Sequence, residues 1–305
     1  MVFIRVKKVK GFDYYYLVKS QWDSKKKIST QHTIKYLGKA ADVTIDSIPL
    51  EYKDNPRILS LIASVSHEHE NKVIITATLK KKVFEALKDG EIEKIVDVAG
   101  KYKEQASLAE FYDDILRPVL YDVGHLWQEN KLDIGMEHVC SNTANKTIHK
   151  ITDSIKPNDK MENIIICTPD GELHNIACNI LESLLIERGF QVNNVSPSIP
   201  TDSMINYINE TKPLMILISV TLKDSIGSAV RLIKKISSAF SIPILVGGLA
   251  INHSSDIERK NIEAISPYVR IVVNSPLSTI VKTVKNITKS NNMRNIRDLE
   301  PELAV

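Results

Sequence analysis

Between residues 160 and 290, five short strands alternate with helical segments, and no other feature of the 305-residue chain constrains its fold as tightly. NIIICT reads as a short buried strand, HNIACNILESLLIERG as a helix ended by Gly189, and QVNNVS as the next strand. A helix over 202–211, the strand LMILISVT, a helix over 224–239 and the strand PILVGG follow. A helix near 255–264, the strand VRIVVN and a helix over 276–288 complete the pattern. Strands that alternate with helices predict a parallel sheet covered on both faces, because each parallel connection must cross back over the sheet. Ligands of such sheets bind outside the carboxyl ends of the strands. The loops after Thr168, Ser196, Thr221 and Gly247 are therefore expected on one rim.

Upstream of Pro157-Asn158-Asp159 the periodicity is different. Residues 77–88, 91–104, 107–128 and 133–155 carry apolar residues three and four apart, which predicts a four-helix bundle over 76–156. Gly90 closes the first helix, and Pro118 is placed to kink or divide the third. Before residue 57 the chain reads as a small three-stranded β domain, with strands over 2–9, 12–20 and 28–37. Lys10-Gly11 and Asp23 to Lys27 supply its turns. Residues 57–75 read as a connector, within which 57–66 can form a helix that packs on the sheet; residues 291–305 read as a polar tail.

Composition excludes several classes. No stretch of about 18 apolar residues marks a membrane span, and the N-terminal MVFIRVKKVKG lacks the apolar core of a signal peptide. Cys140, Cys167 and Cys178 are too scattered for a disulfide framework or a zinc site, so a reducing cytoplasm is the expected location. The net charge of +3 conceals an asymmetry: residues 1–40 sum to +8, leaving −5 on the other 265. A basic head on a mildly acidic body suggests an anionic partner.

The chemistry-bearing residues cluster after the first strand of the alternating region. That strand leads not into GxGxxG but into Thr168-Pro169-Asp170-Gly171-Glu172-Leu173-His174-Asn175-Ile176-Ala177. An imidazole at this rim can ligate a metal or cofactor, with Glu172 or Asp170 holding its other ring nitrogen. The same residues also suit a helix N-terminus with acidic capping groups and a solvent-facing histidine.

Glu172-Leu173-His174-Asn175-Ile176-Ala177, then Ser219-Val220-Thr221, then Gly247-Gly248 resemble the signature of the cobalamin-binding domain family. That signature is Asp/Glu-x-His-x-x-Gly, Ser-x-Leu or Ser-x-Thr, and Gly-Gly. The resemblance covers roughly 160–290 and implies a Rossmann-like (flavodoxin-like) five-stranded parallel sheet. It further implies that His174 replaces the cofactor's dimethylbenzimidazole as the lower axial cobalt ligand. Ser219, Thr221, Gly247 and Gly248 would then make room for the displaced nucleotide tail. Ala177 departs from the family's Gly, and Ser196 stands where a Gly often follows the second strand. By the resemblance, Ala177 adds one methyl where backbone and corrin approach closely.

The bundle carries a second motif, Gly124-x-x-Trp127, nine residues, then Glu137-His138. It resembles the helical cap of MerR-type cobalamin photoreceptor repressors. This resemblance implies Trp127 against the adenosyl group, Glu137 hydrogen-bonded to the adenosine, and His138 available to cobalt from above after photolysis. It points to adenosylcobalamin, methylcobalamin being the alternative. Mutases of the wider family need a large barrel for which 305 residues leave no room, and no separate catalytic constellation is visible, so the chain is expected not to be an enzyme. His67-Glu68-His69 lacks a third placed ligand and is not read as a metal site.

Where those repressors have a winged helix-turn-helix, this chain has the Lys-rich sheet, with Tyr14, Tyr15, Tyr16, Trp22 and Tyr36 interleaved. Three-stranded sheets can enter a major groove, and Lys25, Lys26 and Lys27 can sit on phosphates. The whole reads as a cytoplasmic, homo-oligomeric, cobalamin-binding sensory regulator with DNA as its partner and no membrane association. A corrinoid methyl carrier of a methyltransferase system is the alternative.

Overall fold

The computed structural model describes residues 2–9, 12–23, 28–53, 55–104, 106–155 and 162–289. The chain divides into two compact units, Met1–Thr78 and Leu79–Val305.

The first unit is an antiparallel sheet of β1 (Val2–Val9), β2 (Phe12–Asp23) and β3 (Ile28–Lys39), in that spatial order. Ile4 lies opposite Leu17, and strict alternation along the strands brings Tyr15 to the same face. Val43, Ile48, Ile58 and Ile62 cover that face and complete a small core. β1 ends where expected, whereas β2 and β3 extend a few residues beyond their expected ends, and two irregularities interrupt the β2–β3 register, between Tyr15 and Tyr16 and between Leu17 and Val18.

The stretch expected to be a connector is helical instead. Helix α1 runs unbroken from Pro56 to Lys88, so it includes both 57–66 and the helix expected over 77–88. The reason lies in what the segment lacks. After Pro56, whose fixed φ suits a first helical turn, no Gly or Pro occurs until Gly90.

In the second unit the end of α1 is joined by α2 (Ile92–Lys103), α3 (Leu108–Phe111), α4 (Arg117–Gln128) and α5 (Ile134–Asp153). The disturbance expected at Pro118 is a wide π turn, Tyr112–Leu116, in which the Arg117 N–H reaches back to the Tyr112 carbonyl. Proline has no N–H to give, and the extra residue in the turn accommodates its ring without ending the helix. The turn also presents Asp113, whose carboxylate pairs with Arg117 and accepts the Leu277 N–H at 2.8 Å.

Five parallel strands follow: β4 (Asn163–Cys167), β5 (Gln191–Asn194), β6 (Met215–Ser219), β7 (Ile244–Gly247) and β8 (Val269–Ile271). Their order is β5-β4-β6-β7-β8, the flavodoxin-like order, with the direction of winding reversing between β4 and β6. The crossover helices are α6 (Ile176–Glu187), α7 (Thr201–Thr211), α8 (Ile226–Ala239) and α10 (Asp256–Glu263), and α11 (Leu277–Lys289) follows the last strand. A further short helix, α9 (Leu249–His253), follows Gly248, in a loop for which no helix was expected.

Alternation on the strands sorts the core into two layers. Ile165, Ile216, Ile218, Ile244 and Val246 pack with α7, α8 and α10. Ile164, Ile166, Met215, Leu217 and Leu245 face α6 and α11, and their core continues without a break into the bundle through Phe111, Tyr112, Ile115 and Ile148. Bundle and sheet therefore share one hydrophobic core. Among the described residues no helix is long and apolar enough to cross a membrane.

Candidate functional site

The winding reversal places the loops after β4 and β6 side by side, and Glu172 joins them. Its carboxylate is wholly buried, with 0% of the side chain exposed. Oε1 accepts from the His174 ring Nδ1–H at 2.6 Å and from the His174 backbone N–H at 3.1 Å. Oε2 accepts from the backbone N–H groups of Thr221 and Leu222 at 3.0 and 2.8 Å. Burial pushes this carboxyl up, but the His174 ring and the three N–H donors outweigh burial and hold it at about 2. Glu172 is thus ionised and saturated, and it determines how His174 stands.

His174 is 56% exposed although its carboxylate partner is buried. The Glu172 hydrogen bond raises its pKa from 6.5 more than partial burial lowers it, and the charges of Glu172 and Glu137 push the same way. With Nδ1–H committed to Glu172, Nε2 is the nitrogen left to bind a metal, the arrangement in which an outer carboxylate orients a ligating imidazole. Of the two candidate partners for the ring, Glu172 fills the role; Asp170 is exposed on the same loop. In the apo-protein the His174 ring is expected to titrate above 6.5, and Glu172→Gln to bring that midpoint down; an NMR titration of the ring protons reads both. The sign follows from the raised pKa: this interaction stabilises the fold fully below pH 6.5 and is lost as pH rises through the folded-state pKa.

Smaller contacts shape the same loop. The Thr168 hydroxyl donates to the Glu172 carbonyl at 2.9 Å and accepts the Ser198 N–H at 2.8 Å, while the Ser198 hydroxyl accepts the Gly171 N–H at 2.9 Å. Neither Thr168 nor Ser198 was foreseen as a site residue, since nothing local distinguishes a hydroxyl that braces a loop from one that faces water.

At the next two strand ends the backbone itself is crowded. The Val220 N–H donates to the Gly247 carbonyl at 2.9 Å, and the Ala250 N–H donates to the Val220 carbonyl at 3.1 Å. Gly248 lies against this pair with φ +115°, where a Cβ would fall 2.3 Å from the Val220 oxygen and 2.7 Å from its nitrogen. Gly247 is less constrained, the nearest atom to a Cβ there being the Val272 oxygen at 3.6 Å. The Ser219 hydroxyl is buried without a hydrogen-bond partner. An unpartnered buried hydroxyl beside a glycine cradle suits a group inserted from outside, since leaving it unsatisfied costs about 1–3 kcal/mol.

The bundle supplies a second imidazole. His138 lies in the first turns of α5, 67% exposed, with Nδ1 on Glu137 Oε2 at 2.7 Å. Glu137 also accepts from the Ser141 hydroxyl at 2.6 Å. As at His174, a neighbouring glutamate occupies Nδ1 and leaves Nε2 available. Trp127, in the last turn of α4, has 43% of its surface exposed. The contribution of Glu137 to the His174 pKa brings bundle and rim within electrostatic reach of one another.

A chain of amides ties these parts together. Asn179, buried in α6, donates to Asn145 of α5 at 2.9 Å and accepts from Asn194 at the end of β5 at 2.8 Å. The Ser196 hydroxyl closes the chain on Asn194 at 2.6 Å, so the residue that departs from the usual glycine has a structural partner. The other departure, Ala177, is exposed in the first turn of α6. Lys25, Lys26 and Lys27 lie outside the described residues, as do the side chains of Trp22 and His67-Glu68-His69. Among the described residues no group of three or more His, Cys, Asp or Glu side chains could hold a bare metal ion.

Residues 79–151 and residues 162–268 match two families, each described as a B12 binding domain. Dimethylamine corrinoid protein 3 of Methanosarcina acetivorans is 22% identical over 176 residues, 56% of this chain and 82% of its own length. The HTH-type transcriptional repressor CarH of Myxococcus xanthus is 20% identical over 185 residues, 60% of this chain and 62% of its own. The fold resembles the structure of the Methanosarcina barkeri monomethylamine corrinoid protein, with a TM-score of 0.56 at 14% identity, covering 69% of this chain and 99% of that one.

Proposed function

Because the chain belongs to the B12-binding proteins, with helical cap and Rossmann-like domain in tandem and cobalamin as cofactor, we propose that it is a cobalamin-dependent sensory regulator. Its input is light acting on the adenosyl form, its output is DNA binding by the N-terminal sheet, and it works as a homo-oligomer rather than as an enzyme.

The observation that carries this reading is the pair of imidazoles, His174 at the sheet rim and His138 on the cap, each with Nδ1 held by a glutamate and Nε2 free. A carrier that only passes methyl groups needs the lower one alone. The bound cofactor supplies a cobalt–carbon bond that light can break. His174, oriented by Glu172, would hold the cobalt. Ser219 would offer its unpartnered hydroxyl to the nucleotide tail, and Gly247 and Gly248 would give the tail room. Trp127 would shield the adenosyl group, Glu137 would accept hydrogen bonds from it, and His138 would offer cobalt a second nitrogen donor. Movement of α5 as His138 engages would be felt along the Asn145–Asn179–Asn194 chain and would change subunit association, and with it avidity for DNA.

The test is an absorbance spectrum of protein reconstituted with adenosylcobalamin in darkness, taken before and after green illumination. A light-driven change to a stable spectrum with two nitrogen ligands is expected. His138→Ala should leave binding in darkness intact and prevent that stable photoproduct; an unchanged photoproduct in the variant removes His138 from the mechanism.

A second reading has its own support. The dimethylamine corrinoid proteins match at an identity comparable to that of the repressor, 22% against 20%. A methyl carrier would hold methylcobalamin stably, cycle through a reduced cobalt state with a methyltransferase partner, and show no affinity for DNA. An electrophoretic shift with DNA separates the two.

A further inference from the structure

The sheet of the first unit has two faces, and the fold uses only one. Ile4, Tyr15 and Leu17 belong to the core face. On the other, Arg5 lies opposite Tyr16 and Lys7 opposite Tyr14 across β1–β2, while Tyr16 lies opposite Tyr36 and Tyr14 opposite Lys39 across β2–β3. Residues directly opposite one another share a face, so three tyrosines and three cations occupy the same surface.

The rings form a row. Tyr36 stacks on Tyr14 with centroids 6.4 Å apart and planes inclined by 26°, and it meets Tyr16 at 5.0 Å with planes tilted by 46°. At the end of the row Lys39 Nζ stands 4.8 Å over the Phe12 ring. Tyr36 is 53% and Phe12 56% exposed, and Arg5, Lys7 and Lys39 are exposed around them. Neither β1 nor β3 contains an acidic residue. An aromatic row in water contributes little to the core beneath it, and its cationic margins make it a poor surface for a second copy of itself.

We propose that the Tyr14–Tyr36–Tyr16 row, with Arg5, Lys7 and Lys39, is a stacking platform for single-stranded nucleic acid. Aromatic rings present a π face on which unpaired bases stack, and lysines and arginines at the margins neutralise the phosphates that flank each base. A duplex keeps its base faces inside the helix and offers a protein only edges and phosphates, which lysines alone can meet. The tyrosines therefore favour the single strand. This inference deepens the nucleic-acid output proposed above and rests on it, but not on the cofactor or the light response.

The test is fluorescence anisotropy of the full chain with a fluorescein-labelled 12-nucleotide oligothymidine and with a labelled duplex of equal length, each over a range of salt. The single strand is expected to bind more tightly. Tyr36→Ala should weaken that binding about tenfold or more, as loss of one stacked base does, and Tyr36→Phe should retain it. Lys7→Gln with Lys39→Gln should flatten the salt dependence for the single strand. An unchanged far-ultraviolet circular dichroism spectrum keeps folding out of the comparison. If duplex binds as well as single strand and Tyr36→Ala alters neither, the platform is wrong while a DNA output stands. If neither probe binds, both fall. If sedimentation shows that Tyr36→Ala dissociates an oligomer that binds no strand, the face is an interface between copies, and the proposal is overturned.

Discussion

Replacing His174 with alanine is expected to lower cobalamin affinity by about 100-fold or more and to remove the nitrogen-ligated cobalt spectrum from whatever remains bound. Loss of an orienting outer partner alone typically costs a metal site about 10- to 100-fold, and loss of the ligand itself lies at or beyond that upper bound. The arrangement around His174 makes the test clean. Its side chain is more than half exposed, so truncation opens no core cavity. Glu172 keeps the Thr221 and Leu222 N–H groups that join the β4 and β6 loops. The apo-variant should therefore unfold close to the wild-type temperature while binding is lost, as read by equilibrium dialysis with aquocobalamin and by the absorbance of the retained fraction. A variant that retained both the affinity and the spectrum would show that the cobalt is not held through this imidazole.

Gly248→Ala acts on the fold rather than on the metal. A Cβ at this position would lie 2.3 Å from the Val220 oxygen and 2.8 Å from its carbonyl carbon, and these are backbone atoms that cannot swing aside. The φ of +115° is itself costly for any residue with a side chain. Relief requires β6 and β7 to part where the Val220 N–H meets the Gly247 carbonyl. A loss of about 3–5 kcal/mol is expected, within the range seen when a special backbone position is violated and a hydrogen bond is broken with it. Gly247→Ala is the control. Its added methyl would meet only ordinary contacts, at 3.6 and 3.8 Å, so its stability should change by less than about 1 kcal/mol. Chemical denaturation of the two apo-variants reads the difference, and equal midpoints would refute the crowding argument. If Gly247→Ala leaves the fold intact as expected, any cobalamin affinity it loses tests the proposed place of the nucleotide tail.

Much of this site is legible along the chain because its parts are local. Glu172, Leu173 and His174 fall within one loop, and an acidic residue two positions before a histidine can reach both that residue's backbone N–H and its ring, as Glu172 does. The alternation of strands and helices likewise dictates a parallel sheet from segment chemistry alone, since apolar β-branched runs of four to six residues have nowhere else to bury both faces. The cap helices are legible for the same reason. Their extent was less so: α1 continues back to Pro56 because termination is signalled by Gly and Pro, and neither occurs between Pro56 and Gly90 to mark a break.

What the sequence by itself determined, then, is the alternation of strands and helices over 160–290, the rim on which ligands gather and the two histidines that suit a metal. The choice of Glu172 over Asp170 was decided only by the tertiary structure. Burial and the Thr221 and Leu222 N–H groups come from the loop after β6, 49 and 50 residues away, and they hold one carboxylate in place while Asp170 stays in water. The need for glycine at 248 was decided in the same way, by the backbone of β6. The amide chain of Asn145, Asn179 and Asn194 joins three elements distant in sequence, and an asparagine carries no local sign of the partner it will find. Local chemistry is written residue by residue, whereas close approach and burial exist only once distant segments pack.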